Sequence, residues 1–475
     1  MDERNGNKAV QKKYGFWNFI DGIAGDKVIW MVVLFLMMVS ILAIYSSSIK
    51  LAKGSITRPE IFRSQIIMTF VGLGLIFGIY KIRSVRLFMM LSQLGFFLSA
   101  FLLIVLASRK PFLFFVPEAI NGVWRVIKIG SFQLHVYEVV KVAMVMYMAW
   151  ATHMCHKDED MIKRGEKSTV LWLANLLSNV KHLEWMSKTW AKHTLYIYVP
   201  VIIVVAIELM GGGSSAIFLA GVMVVMMILG KMPFKEMLLV GISVLMFTLF
   251  CVQLDKWTDH KIPLLNKFQR FETMKNRVGA EYDPTVALKD LTPGTKAFRD
   301  ALDGIEQPNG AKIAIHEGGI FGKGCGNSTQ KFKVSNIYDD FMFSFIVEEY
   351  GVIGALLLLS LYVSLFARGA QISSKCTKDF TKLTVGGLTL LISGQAFMHM
   401  IVNLDVGVMT GQTLPLVSNG KSSFICFCIA FGVLLSISRI TKLQELQAGA
   451  EQQAEQQAEQ QTEQQTEQQS LTEQQ

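Results

Sequence analysis

The sequence predicts an all-α polytopic membrane protein with about ten transmembrane helices and a large extracytoplasmic loop between spans seven and eight. Of its 475 residues, 51% are hydrophobic and only 17% are charged, whereas roughly a quarter of the residues in soluble domains are charged. The apolar residues come in long runs, such as 28–47 and 237–254. About 20 apolar residues let a helix cross a hydrocarbon core about 30 Å thick. We therefore expect the chain to fold and function in a bilayer.

The apolar runs divide the chain into five regions. These are an N-terminal segment (1–27), seven spans (28–254) with an interfacial loop near 153–194, an outer loop (255–340), three further spans (341–440) and a Gln/Glu-rich tail (441–475). The ten predicted spans lie at 28–47, 65–81, 86–107, 135–152, 195–210, 214–230, 236–254, 341–367, 382–402 and 422–440.

Basic residues indicate which way the spans run through the membrane. An even number of spans puts both termini on one side, and the loops on that side after spans two, four and eight are rich in lysine and arginine. Short cytoplasmic loops of membrane proteins carry such an excess. We therefore predict that both termini are cytoplasmic. The net charge of +9 then reflects membrane topology, and we expect no nucleic-acid partner.

Two connections and the tail are unusual. Residues 153–194 carry Trp172, Trp185 and Trp190 among lysines, which is typical of a helix lying in the membrane interface. The outer loop is far longer than a helix connector needs, and such loops are usually functional or disordered. The tail repeats Glu-Gln-Gln units, and this low-complexity composition predicts a fraying helix or disorder without a catalytic role.

Span four contains two charged residues, Glu138 and Lys141, which lie three residues apart and so share one helical face. Charges inside a membrane are costly, so they suggest a functional site. One interpretation is a neutralised pair that holds helices together. The other is a polar cavity open to a charged ligand. Arg125 lies just upstream at the outer edge, where a guanidinium could bind a diphosphate through two parallel hydrogen bonds.

Span eight begins with four acids on about three turns. Asp339 and Asp340 precede it, and Glu348 and Glu349 lie two turns further in. Acids favour a helix N-terminus, so capping could account for Asp339 or Asp340. Capping does not extend to the two glutamates, which need a partner or a water-filled cavity.

Two glycine-containing segments flank this span. Residues 318–330, which include Lys323 and Gln330, resemble a phosphate loop in shape, but no strand precedes them and no Gly-Lys-Ser/Thr ending follows. They either bring backbone amides and one lysine to a polyanion or form a tight turn that needs glycine. Residues 410–423, with Ser418, are polar and helix-breaking. They either line a cavity or form a simple loop.

The order and spacing of these motifs resemble the SEDS family, the membrane glycosyltransferases of bacterial peptidoglycan synthesis, over about residues 25–440. The first motif set reads Asn121, Gly122, Arg125, Gly130, Phe132, Glu138 and Lys141. The second reads Gly318 to Gln330, then Asp340, Phe341, Glu348, Glu349 and Gly351. The third reads Gly411, Leu414, Pro415, Ser418, Gly420, Ser422 and Ser423. Residues 25–30 and 45–47 are more similar to the family's division member than to its elongation member.

The resemblance implies an inverting glycosyl transfer that joins lipid II disaccharides into glycan strands. The acceptor's 4-hydroxyl attacks the donor's anomeric carbon, and lipid diphosphate leaves. Such a reaction needs a base near the hydroxyl and cations near the diphosphate. The substrate-binding residues implied are Arg125, Glu138, Lys141, Lys323, Gln330, Asp340, Glu348, Glu349 and Ser418. A divalent cation at the diphosphate is left open.

The resemblance also implies a base in the outer loop. In the family the key acid is an aspartate that lies seven residues before a glutamine. Counting back from Gln307 gives Asp300, and Asp303 is the alternative because this loop departs from the family's Asp-Pro-x-Gly pattern. Either residue could instead be a surface carboxylate.

Three further departures from the family pattern fall in the spans. Val136-Tyr137 replaces Pro-Ser before Glu138, and residues 211–215 read Gly-Gly-Gly-Ser-Ser where Pro-Asp-Leu-Gly-Thr is usual. The acid of that pattern is therefore lost unless Glu208 substitutes for it. Lys421 replaces a glycine. A divergent or weakly active member is compatible with these changes.

By resemblance, we expect the chain to work in the bacterial inner membrane, at the division site, with lipid II as substrate. The expected partners are a single-span transpeptidase (a class B penicillin-binding protein), other division proteins and membrane lipid. Two alternatives use the same sequence features differently. A flippase for lipid-linked precursors would need the intramembrane charges but no base in the loop, and a non-catalytic division scaffold would need neither.

Overall fold

The computed structural model describes residues 25–473 except 49–56, 121–122, 131, 167–169, 210, 258–294, 335 and 407–410. Most of the predicted N-terminal segment and half of the outer loop lie outside these residues. The helices are α1 Lys27–Ser47, α2 Arg58–Tyr80, α3 Val85–Ser108, α4 Val136–Lys163, α5 Trp172–Ser178, α6 Thr189–His193, α7 Val199–Leu209, α8 Gly213–Leu229, α9 Phe234–Trp257, α10 Lys296–Gly318, α11 Met342–Lys375, α12 Asp379–Asn403 and α13 Lys421–Glu473.

Every predicted span coincides with a helix or a helical run. Among the described residues, seven helical runs are long and apolar enough to cross a membrane: 27–47, 58–80, 85–108, 189–209, 342–375, 379–403 and 421–454. A shorter apolar helix, α8, has 17 residues. The all-α polytopic membrane fold predicted from the apolar runs is confirmed.

Helices α4 and α12 and the first part of α13 are largely buried in the bundle. Helix α12 packs against α4 and α11, and α13 packs against α2. In contrast, α1, α2, α3, α8 and α11 each expose large apolar side chains. In a membrane protein such surfaces contact lipid, so the buried helices α4, α12 and α13 form the core that can hold charged groups.

The sequence did not predict the small antiparallel sheet between α3 and α4. Its strands β1 Phe115–Ile120, β2 Val123–Ile129 and β3 Phe132–His135 pair in the order β1-β2-β3. A register irregularity lies between Glu118 and Ala119. Since β3 leads directly into α4, the sheet places Arg125 of β2 close to the start of α4.

Two segments differ in detail from the sequence-based expectation. Instead of one interfacial helix near 153–194, α4 continues to Lys163 and short helices follow. A buried ion pair between Lys192 and Asp158 (2.6 Å) ties this segment to α4. The stacked rings of Trp185 and Trp190 lie 5.4 Å apart. The tail, predicted to fray or be disordered, continues α13 as a helix to Glu473.

Candidate functional site

Lys141 lies at the centre of a polar cluster inside the bundle. Its side chain is 1% exposed. Its Nζ contacts Oε1 of Glu138 at 2.8 Å, Oε1 of Gln395 at 2.5 Å and Oε1 of Gln412 at 3.2 Å. An ammonium group has three N–H donors, so these contacts use all of them. The structure therefore favours the helix-linking interpretation of this charge pair over an open cavity for a ligand.

A polar stripe on α12 completes the cluster. Gln395, His399 and Asn403 recur every four residues, so they lie on one face, and all three are buried. Gln395 Nε2 donates to a carbonyl of the 411–418 segment at 3.0 Å, and His399 Nδ1 lies 2.7 Å from another. Asn403 Nδ2 donates to the carbonyl of Asp340 at 3.2 Å. Our sequence reasoning missed this stripe, although the four-residue spacing of polar residues in an apolar span signals it.

Arg125 and Asp340 border the same space beside Gly411. A Cβ atom at Gly411 would lie 3.8 Å from Arg125 Nη1 and 3.8 Å from Asp340 Oδ2. Arg125 Nε has no hydrogen-bond partner among the described residues. Ser418 links the 411–418 segment to the backbone just before α11, because its Oγ donates to the carbonyl of Asp339 at 2.7 Å. Arg125 is therefore a predicted ligand-binding cation that retains an unused donor.

The adjacent acids Asp339 and Asp340 lie just before α11. Phe341 is the N-cap residue, and its side chain makes no capping hydrogen bond. Burial and the charge of Asp340 raise the pKa of Asp339 to about 8, although the charge of Arg125 opposes the shift. Burial also raises the pKa of Asp340. Asp339 Oδ1 is buried without a hydrogen-bond partner among the described residues. Neither aspartate is the N-cap of α11, and burial favours the protonated form of the Asp339 carboxyl.

A second polar cluster surrounds Glu348 of α11. Its carboxylate accepts hydrogen bonds from Ser328 Oγ (2.5 Å), the backbone N–H of Thr329 (2.8 Å) and Lys323 Nζ (2.9 Å). Lys323 also pairs with Glu317 and bonds Thr329 Oγ1 at 2.8 Å. Its ammonium donors are thus all used within the protein.

The glycine-rich segment 318–330 docks on a break in α11. Gly351 interrupts that helix at φ 66°, ψ −165°, and the N–H groups of Lys323 and Gly324 donate to the carbonyls of Glu348 and Glu349 at 2.9 and 3.0 Å. The N–H of Gly326 donates to the Glu349 carboxylate at 3.0 Å. These amides, which the sequence suggested for a polyanion, therefore bind carboxylate and carbonyl oxygens of the protein.

Two remaining predicted residues have well-defined places. Glu349 Oε1 accepts from Ser46 Oγ of α1 at 2.5 Å, and the buried Gln330 donates its backbone N–H to Glu348 at 3.3 Å. Lys331, which was not predicted, lies 4.0 Å from Glu349. The predicted binding residues thus form two groups, one around Lys141 and Arg125 and one around Glu348.

The residues at two positions that depart from the family pattern, Tyr137 and Gly211, contact each other. A Cβ atom at Gly211 would lie 1.5 Å from Tyr137 Oη, which donates to the carbonyl of Trp124 at 2.9 Å. Gly212 faces the same ring, with 3.3 Å from its Cβ position to Tyr137 Cε2. Since Tyr137 fills this space, the turn after α7 has no room for larger side chains.

Glu208 ends α7 immediately before this turn. Its side chain is 0% exposed, and Oε1 accepts from Ser215 Oγ at 2.6 Å. Its Oε2 has no partner among the described residues, and the carboxyl lies within Coulomb range of Lys141 and Glu138. A buried acid is therefore present near the Lys141 cluster. This is the place expected if Glu208 replaces the acid that residues 211–215 lack.

The two base candidates lie on α10. Asp300 and Asp303 fall in the first half of Lys296–Gly318, but their side chains lie outside the described residues. At 1.5 Å rise per residue, Asp300 is about 25 Å along this helix from Glu317. The opposite end of α10 is fixed, because Lys312 pairs with Asp405 at 2.6 Å. The helix therefore positions Asp300 well away from the Glu348 cluster.

The fold and these buried polar clusters define a polytopic membrane protein with an intramembrane polar site. The chain matches the family model FTSW_RODA_SPOVE, described as cell cycle protein, over residues 26–443. This match covers most of the chain, so the protein belongs to that family. The family resemblance inferred from the motifs is confirmed.

Named relatives and one solved structure are also similar. The probable peptidoglycan glycosyltransferase FtsW of Hahella chejuensis is 38% identical over 154 residues, which is 32% of this chain and 39% of the relative. That match therefore spans less than half of the relative. The probable peptidoglycan glycosyltransferase FtsW of Coxiella burnetii is 27% identical over 352 residues, which is 73% of this chain and 78% of the relative.

The fold itself recurs in a solved structure of a peptidoglycan synthase complex that coordinates polymerization and crosslinking. One chain of that structure superposes with a TM-score of 0.55 at 20% identity, covering 88% of this chain and 99% of that chain. At this identity the likeness concerns the fold.

Proposed function

We propose that this chain is a peptidoglycan glycosyltransferase that polymerises lipid II into glycan strands of the division septum. The relatives' names support the reaction class. The observation on this chain that carries the proposal is Arg125. Its guanidinium keeps an unused Nε donor beside Asp340 and Gly411, where it could bind the diphosphate of a lipid-linked donor.

The reaction then divides into two roles. Asp300, with Asp303 as the alternative, accepts the proton of the acceptor's 4-hydroxyl as that oxygen attacks the anomeric carbon. Arg125 stabilises the negative charge that develops on the departing diphosphate. Lys141, Glu138, Gln395 and Gln412 hold the helices around Arg125 in place. Lys323 and Glu348 fix the segment that follows α10.

A divalent cation at the diphosphate remains a prediction. No group of three or more His, Cys, Asp or Glu side chains among the described residues could hold a metal ion. Mg²⁺ is often bound by one or two carboxylates together with substrate phosphates. Asp340, which borders the same space as Arg125, is the carboxylate placed for such shared binding.

The proposal includes a location and a partner. We infer an inner-membrane protein with both termini cytoplasmic, because its basic loops follow the positive-inside rule. We infer as well that it acts at the division site, which the family's description as cell cycle protein supports. We also infer a single-span transpeptidase partner and contacts with other division proteins. The inference of a transpeptidase partner is supported by the similar fold of a chain in a complex that coordinates polymerization and crosslinking.

Polymerisation of purified lipid II in detergent tests the proposal. Wild type and Arg125→Gln would be assayed with and without the transpeptidase, and glycan products separated by gel electrophoresis. We expect polymer from wild type and little from Arg125→Gln. Movement of lipid II across vesicle membranes without polymer would instead support a flippase. The absence of both activities from folded protein would support a scaffold.

A further inference from the structure

A cavity opens at the end of the bundle where α1 begins, which is the cytoplasmic end in the proposed topology. Its volume is about 340 Å³, and it lies between the start of α1, the last turns of α11 and the middle of α13. It is distant in sequence from both polar clusters of the candidate site. The reaction proposed above makes no use of it.

Cationic side chains dominate the lining of this cavity. Lys27, Arg368, Lys375 and Lys442 line it together with only two acids, Asp26 and Glu445. Each acid already has a cationic partner. Asp26 Oδ2 lies 2.5 Å from Arg368 Nη2, and Glu445 Oε1 lies 3.2 Å from Lys375 Nζ. The cavity as a whole therefore keeps a positive charge.

The guanidinium of Arg368 is held in a fixed position. Its Nε donates to Asp26 Oδ2 at 2.8 Å, and Nη1 donates to Gln371 Oε1 at 2.9 Å. Asp26 is itself fixed, because Oδ1 caps α1 by accepting from the N–H groups of Val28 (2.9 Å) and Ile29 (3.1 Å). A guanidinium has five N–H donors, so two remain after these contacts and the ion pair. A preorganised donor of this kind loses little entropy on binding an anion.

An apolar surface continues from the cavity into the membrane. On α1, Met31 and Phe35 expose about half of their surface. They follow the cavity-lining Val28 by three and seven residues, so they lie on the same face of α1 as the cavity. A ligand with a charged head in the cavity could place its acyl chains along them.

We propose that this cavity binds the phosphate group of an anionic glycerophospholipid of the adjoining leaflet. The cations match a phosphodiester, and the exposed apolar face of α1 next to the cavity matches its acyl chains. A membrane leaflet rich in anionic lipid attracts basic side chains in any case. The fixed Arg368 and the concave shape of the site distinguish this cavity from the exposed basic loops. A soluble phosphate would satisfy the cations but not the apolar surface.

Native mass spectrometry of the purified full chain tests the proposal. The protein in detergent would be titrated with phosphatidylglycerol, with phosphatidylcholine as the uncharged comparison. The test variants are Lys442→Gln and Lys375→Gln, which remove charge from the cavity but leave the Asp26–Arg368 pair intact. Lys378→Gln is the matched control, because it removes one charge from an exposed lysine that does not line the cavity. Gln371→Trp is a further variant that narrows the cavity without changing its charge.

We expect phosphatidylglycerol to bind more tightly than phosphatidylcholine. Each cavity lysine variant should weaken its binding about fivefold, as expected for one basic residue near an anionic surface. Lys378→Gln should change binding less than twofold, and Gln371→Trp should weaken it with charge unchanged. Equal losses in Lys378→Gln and the cavity variants would overturn the proposal, as would full competition by inorganic phosphate. The result does not depend on glycosyl transfer.

Discussion

The hydroxyl of Tyr137 occupies the space that a side chain at position 211 would need. Only 1.5 Å would separate it from a Cβ atom at Gly211, and the hydroxyl is held there by its hydrogen bond to the carbonyl of Trp124. Tyr137 lies on α4, and Gly211 lies in the turn between α7 and α8. Both depart from the family pattern, and the contact explains why they depart together.

This contact predicts coupled effects of substitution. Gly211→Ala should destabilise the protein by about 1–3 kcal/mol, because a methyl group is forced into filled space. Tyr137→Ser removes the two nearest contacts of that methyl group but leaves the Trp124 carbonyl oxygen 2.8 Å from the Cβ position. Gly211→Ala should therefore cost less, but not nothing, in the Tyr137→Ser background. Thermal unfolding in detergent of the two single variants and the double variant measures the coupling. Additive effects would show that the two positions do not share this space.

Substitutions of Lys141 and Arg125 are predicted to affect different properties, namely stability for Lys141 and activity for Arg125. Lys141→Met leaves Glu138 charged and buried without its cation, which should cost about 3–5 kcal/mol of stability. Arg125→Gln should fold normally but lose lipid II polymerisation, since Arg125 is only half-buried and keeps an unused donor.

Size-exclusion profiles and thermal midpoints, read beside polymerisation, separate these outcomes. The double variant Lys141→Met/Glu138→Gln removes both charges and should recover part of the lost stability. A stable Lys141→Met protein that fails only in polymerisation would assign Lys141 to the substrate instead.

Asp339 predicts a pH dependence of stability. Its pKa is raised to about 8 by burial and by the charge of Asp340, so the folded state holds the proton more tightly than the unfolded state. The stabilisation that comes from this bound proton is fully present below the ordinary pKa of an aspartate and is lost as the pH rises through about 8. The thermal midpoint of wild type should therefore decrease as the pH is raised from 5 to 9.

The variant Asp339→Asn should flatten that decrease, because an amide does not titrate. Asp160→Asn, which alters an exposed carboxylate, is the control and should leave the decrease unchanged. An Asp339→Asn profile that falls as steeply as that of wild type would contradict the assignment.

Glu348 predicts a local effect on the 318–330 segment. Glu348→Gln removes the charge that receives Lys323 Nζ, Ser328 Oγ and the Thr329 N–H. Hydrogen exchange should therefore increase within 318–330, while the 411–420 segment should change little. Glu445→Gln, which alters a carboxylate at the other end of the bundle, is the matched control. Increased exchange throughout the bundle would show that Glu348 supports the whole fold instead.

Sequence patterns predicted the membrane helices because each apolar run is local information. They did not predict the partners of Lys141, since Gln395 and Gln412 lie 254 and 271 positions away. The short strands at 115–135 were also missed, because two or three alternating residues each carry little signal beside apolar spans. The stripe of Gln395, His399 and Asn403 on α12 shows that uncharged polar residues at helical spacing indicate a buried polar site as well as acidic residues do.

The most direct test of the account is lipid II polymerisation by Asp300→Asn compared with Glu306→Gln. Both changes remove one carboxylate from α10, and Glu306 is exposed on that helix. We expect Asp300→Asn to lose at least about a hundredfold in rate, as for removal of a general base, while Glu306→Gln stays near wild type. If Asp303→Asn shows that loss instead, the base is the alternative aspartate. Polymerisation that survives in the double variant Asp300→Asn/Asp303→Asn would contradict catalysis from this helix.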